Sequence, residues 1–144
     1  MAQSLDSVLQ GAVRRATLDP DWFCTEVLRS ANYRWQSELM NAVADLDRAR
    51  LGIPTLINHQ LKNRFSVRAP HGKGKTHWLA KMIHWWNATR KGRIPCTAPK
   101  ELQLKTRLWP ELRKTRASAL PEYQALLDIQ QTSVIWAGDP DWCA

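Results

Sequence analysis

Apolar residues recur at helical spacing in several stretches of this chain, with polar breakers between them. Leu5, Val8, Leu9 and Val13 follow Ser4 and Asp6 and predict a first helix over about 5–16. Asp19-Pro20-Asp21 ends it. Asp19 can cap, and Pro20 suits the first position of, a second helix that carries Trp22, Phe23, Val27 and Leu28 and ends near Ser30. From Tyr33, the series Trp35, Leu39, Val43 and Leu46 predicts a third helix, stopped by Gly52 and Pro54. Arg64-Phe65-Ser66-Val67-Arg68 alternates polar and apolar residues, as a strand does.

A helix over 76–91 follows, with Trp78, Leu79, Met82, Ile83, Trp85 and Trp86 forming a broad apolar face and Gly92 closing it. Residues 94–98 read as a strand with Pro95 at its start or on an edge. Residues 100–116 read as a basic helix that Pro110 must kink or restart. A short helix over 121–129 and a strand over 133–137, ended by Gly138-Asp139-Pro140, complete the pattern. Asp-Pro-Asp-Trp occurs at 19–22 and again at 139–142, in unrelated surroundings. The expected organisation is a helical N-terminal segment, 1–60, packed on an α/β core, 61–144.

With 144 residues, 44% hydrophobic and 24% charged, the chain has enough material for one folded core. Its net charge of +8, with the basic residues gathered in 62–114, favours a polyanionic partner such as nucleic acid. No run of about 18 apolar residues exists, and MAQSLDSVLQGAVRR lacks the apolar centre of a signal peptide, so an intracellular protein without a membrane span is expected. Cys24, Cys96 and Cys143 are too scattered for zinc spacing and are expected as free thiols.

The chemistry concentrates in Ala69-Pro70-His71-Gly72-Lys73-Gly74-Lys75-Thr76, which fits the P-loop pattern with alanine for its first glycine, between a predicted strand and a predicted helix. Gly72 and Gly74 let backbone amides approach a phosphate, and the helix start adds positive charge. Lys75 would reach the β- and γ-phosphates of ATP, and the Thr76 hydroxyl would ligate Mg²⁺. Lys73 adds a second cation, and Arg68 or His71 could stabilise charge during phosphoryl transfer. Upstream, the Gln36 amide could read an adenine edge beside Trp35; the plainer alternative makes Trp35 a core anchor and Gln36 a surface residue. Lys100, Lys105, Arg107, Arg113, Lys114 and Arg116 could track a DNA backbone or simply form a solvated face. An acidic strand end for hydrolysis is missing; Asp139 alone approximates one, and Gly138 and Pro140 make it read better as a turn.

In order, Trp35-Gln36, Val67 to Thr76, Thr97-Ala98-Pro99 with Gln103, and Leu108-Trp109-Pro110-Glu111-Leu112 resemble the start of the ATPase domain of phage terminase large subunits, the motors of viral genome packaging. The resemblance, from about residue 20 to the end, implies a helicase-like parallel-sheet P-loop NTPase of α/β class, cut off before its acidic catalytic strand and nuclease domain. It implies that Gln36 reads adenine, Gly72 to Thr76 hold phosphates, and Arg68 serves as an arginine finger in cis. Thr97 to Pro99 would couple nucleotide state to the rest of the motor. The implied partners are double-stranded DNA, a portal, a small terminase subunit and further copies of the chain, in the cytoplasm of a bacterial host. A fragment of a helicase-type ATPase and a non-catalytic basic nucleic-acid- or protein-binding phage factor remain open alternatives.

Overall fold

The computed structural model describes residues 2–131 and 133–144, with side chains from residue 7 onward. Helix α1, Ala2–Leu18, extends the first predicted helix at both ends. The expected roles of Ser4, Leu5 and Asp6 lie outside the described side chains. Asp19 then caps α2, Pro20–Trp22, by accepting the Trp22 amide at 3.0 Å, and α2 runs on as a π turn, Phe23–Val27. Helix α3 spans Arg34–Arg50 and α4 spans Lys75–Thr89.

Helix α5, Glu101–Gln103, widens into a π turn, Leu104–Leu108, before α6, Trp109–Ser118. Pro110 explains the break, because it has no amide to give the preceding turn, while the Trp109 amide reaches back five residues to Leu104. Helix α7 is only Pro121–Gln124. Strands β1, Leu127–Ile129, β2, Val134–Trp136, and β3, Asp139–Cys143, then form an antiparallel sheet in the order β1-β2-β3. Ala137 and Gly138, both with positive φ (50° and 69°), make the tight turn between β2 and β3.

This architecture corrects the expected fold class: the chain is mostly helical (54%) with a small antiparallel sheet, not a parallel-sheet P-loop NTPase. A strand needs a neighbour to take its amides and carbonyls. The two segments expected beside 133–137 do not supply one. Residues 64–68 run as coil, exposed except at Val67, and 94–98 form no strand, with Pro95 and Pro99 lacking amides. Beside that stretch, Arg93 makes an isolated parallel bridge with Cys143. Strand β2 therefore pairs with its sequence neighbours through short turns, which cost less chain entropy than long crossovers. The helix expected over 121–129 ends early because Leu127 to Ile129 joins this sheet.

Helix α4 is central. Its Ala80, Ile83 and Trp85 pack in one core with Ala16, Leu28, Met40, Val43, Leu112, Val134 and Trp136, so both halves of the chain share that core. Trp85 donates its indole N–H to the Ala16 carbonyl at 2.7 Å, seating α1 on α4. The apolar stripe of α1 faces outward instead: Val8 and Leu9 are 68% and 61% exposed. Asp45 is buried and accepts from Arg48 (2.8 Å) and the amides of Leu56, Ile57 and Asn58 (2.9, 2.7 and 2.7 Å), pinning the segment after α3. Arg48 also donates to the Leu18 carbonyl at 2.5 Å, tying α3 to the end of α1.

Candidate functional site

The predicted phosphate loop leads directly into α4. Gly72 and Gly74 have φ of 74° and 76°, a left-handed conformation that glycine adopts without Cβ strain, and Gly74 is the N-cap of α4. Ala69 is outside that region, so alanine costs nothing at the loop's first position. The amides of Lys75, Thr76 and His77 precede the first intrahelical bond, Trp78 to Gly74 at 2.8 Å, and take no backbone partner among the described residues. Unpaired donors at the positive end of a 15-residue helix form an anion-binding arrangement.

Lys75 folds over its own loop, donating to the carbonyls of Ala69 and Pro70, the latter at 3.3 Å. Pro70, His71 and Lys73 are exposed, and Thr76 is half-buried. Beside the loop, a groove of about 630 Å³ runs between α3 and residues 66–73, lined by Trp35, Glu38 and Leu39 from α3 and by Val67, Arg68 and Lys73 from the other side. That volume suits a small-molecule ligand.

Gln36 stands under the loop rather than in the groove. It is fully buried; its Nε2 donates to the Gly74 carbonyl at 3.2 Å, and its Oε1 accepts from the Tyr33 amide (3.1 Å) and from Lys81 Nζ (3.0 Å). Lys81 is buried too and also donates to the Ala31 carbonyl at 3.2 Å; burial depresses its pKa, partly countered by Cys24 and Asp21. Nothing in the spacing marked Lys81, which sits among apolar neighbours on α4. Trp35 packs against Trp78, with ring centroids 6.1 Å apart.

Asp139 is remote from the loop. It pairs at 2.5 Å with Lys91, beyond the far end of α4, about 20 Å from Thr76 by helical rise. It therefore cannot share a Mg²⁺ with Thr76. Thr97 to Pro99 lie in coil before α5. Along α5 and α6, Lys105 and Lys114 pair with Glu101 (2.8 Å) and Glu111 (3.9 Å), while Arg113 and Arg116 donate to the carbonyls of Gln130 (3.1 Å) and Gln124 (3.0 Å). Arg107, Arg113 and Lys114 are exposed. Among the described residues no helix is long and apolar enough to cross a membrane, and no group of three or more His, Cys, Asp or Glu could hold a metal.

No family model, curated protein or solved structure matches the chain.

Proposed function

We propose that the chain binds the triphosphate of ATP, with Mg²⁺, through residues 69–76, as the ATP-binding portion of a viral DNA-packaging motor of the terminase large-subunit kind. The observation that carries this reading is the pair of left-handed glycines running straight into α4, whose first amides, those of Lys75, Thr76 and His77, take no backbone partner among the described residues. Lys75 would exchange the carbonyls of Ala69 and Pro70 for phosphate oxygens, and the Thr76 hydroxyl would hold Mg²⁺, which neutralises phosphate charge when bound. Arg68 and Lys73 would face the nucleotide from the groove, whose Trp35 side suits a base.

In this reading Gln36 shapes the loop through Gly74. With Asp139 out of reach, the chain binds nucleotide and turns it over slowly or not at all by itself. The exposed cations of the π turn after α5 and of α6 suit double-stranded DNA as the partner. The reading sets the chain in the cytoplasm of a bacterial host. The same cations also favour a second reading, a non-catalytic basic factor that binds nucleic acid without nucleotide.

Calorimetric titration with Mg-ATP separates the two. The first reading expects saturable binding that Lys75→Ala weakens about ten-fold, about 1.4 kcal/mol. Salt-sensitive DNA binding by a folded protein that takes up no ATP supports the second.

A further inference from the structure

Ser30, His77 and Glu111 meet where the segment after α2, the first turn of α4 and the first turn of α6 converge. Ser30 Oγ lies 3.0 Å from His77 Nε2, and His77 Nδ1 lies 3.1 Å from Glu111 Oε2. A carboxylate only accepts, so the neutral imidazole carries its proton on Nδ1 and turns the Nε2 lone pair toward the serine hydroxyl. Nucleophile, base and orienting acid thus stand in series, in the relation that activates a serine.

The group is reachable, with the His77 and Glu111 side chains 31% and 27% exposed. The Ser30 amide donates to the Cys24 carbonyl at 2.8 Å, which fixes the serine's backbone just after a left-handed Arg29 (φ 52°). The next amide, that of Ala31, takes no partner among the described residues and is free to donate to an oxyanion.

We propose that Ser30, His77 and Glu111 form an acyl-transfer site for small carboxylic esters, adjoining the phosphate loop at His77 but using that residue's side chain rather than its amide. Ser30 Oγ bonds to the ester carbonyl carbon as its proton passes to His77 Nε2 and the carbonyl electron pair moves onto oxygen. Collapse of that intermediate breaks the bond to the alcohol, which leaves with the proton from His77. Water then attacks the acyl-serine and gives a proton to His77; the acid departs as the bond to Oγ breaks and Ser30 recovers that proton. Glu111 touches no substrate and is a positioning residue.

Treating the full chain with a fluorophosphonate and mapping the adduct by mass spectrometry tests this. One adduct at Ser30 is expected. It should be absent in Ser30→Ala, at least ten-fold slower in His77→Gln, and slower in Glu111→Gln with partial recovery in Glu111→Asp, circular dichroism showing each variant folded. Hydrolysis of p-nitrophenyl acetate should follow the same order. A folded wild type that gains no adduct at Ser30 overturns the proposal by itself. Labelling that His77→Gln leaves unchanged also overturns it, making the three residues a structural tie between helices.

Discussion

Gln36 Nε2 donates to the Gly74 carbonyl at 3.2 Å, so a buried side chain of α3 holds the residue at which α4 begins. A Cβ on Gly74 would lie 3.1 Å from that same Nε2, and the position's φ of 76° disfavours any other residue. Gly74→Ala should cost about 1–2 kcal/mol by chemical denaturation and weaken ATP binding. Gly11, inside α1 with nothing near its Cβ position, is the contrast: Gly11→Ala should stabilise by about 0.5–1 kcal/mol. Equal effects at the two sites would refute the assigned strain.

Asp45 gives a pH signature. Burial pushes its carboxyl up, but the amides of Asn58, Leu56 and Ile57 and the Arg48 guanidinium outweigh that and hold it at about 2. A depressed carboxylate stabilises the fold above its unfolded value near 4, and that stability is lost as pH falls toward 2. The loss is on the order of 2 kcal/mol. Denaturation curves at pH 5, 3 and 2 should show it, and Asp45→Asn should remove most of the dependence while destabilising the protein at neutral pH.

His84 acts in a higher window. It is buried with Nε2 donating to the Leu112 carbonyl at 3.1 Å and Nδ1 facing the Tyr123 hydroxyl at 3.0 Å, and burial lowers its pKa to about 4. Between pH 6.5 and 4 the unfolded chain binds a proton that the folded one refuses, so stability declines as pH falls through this range. The expected loss is about 2 kcal/mol between pH 7 and 5. A His84→Gln variant should flatten this part of the profile, and an equally steep one would assign it elsewhere.

The three thiols should react in two classes. Cys24 is buried with its sulfur 3.7 Å from that of Met40, and burial raises its pKa to about 12, whereas Cys96 and Cys143 are half-buried. Iodoacetamide should modify the latter two in the native protein and Cys24 only after denaturation. Fast native modification of Cys24 would contradict the packing of α2 against α3.

The helices were legible because their punctuation is local: Asp19 caps, Gly52 stops, and Pro110 forces its break where it stands. Asp-Pro-Asp-Trp shows the limit of such reading, since one copy begins a helix and the other lies in a strand. The sheet was misread because alternation over five residues, 64–68, describes a strand only when a neighbour is supplied. Gln36 reads from the sequence as an adenine contact or a surface residue, and Asp45 and Lys81 carry no signal there, yet all three are buried. Their burial depends on contacts outside their own helices, such as the Gln36–Lys81 bond, 45 residues apart. The left-handed turns at Gly72 and Gly74 were legible because glycine there is a local requirement of the backbone. The meeting of Ser30, His77 and Glu111, 47 and 34 residues apart, has no local signal.

The most direct test of the nucleotide-binding account is an amide nuclear magnetic resonance titration of the ¹⁵N-labelled chain with Mg-ATP. The account predicts the largest shifts at residues 72–77, with smaller ones at Trp35 and Arg68, and their loss in Lys75→Ala. Shifts confined to the basic residues of the π turn after α5 and of α6, or none in a folded protein, would contradict it.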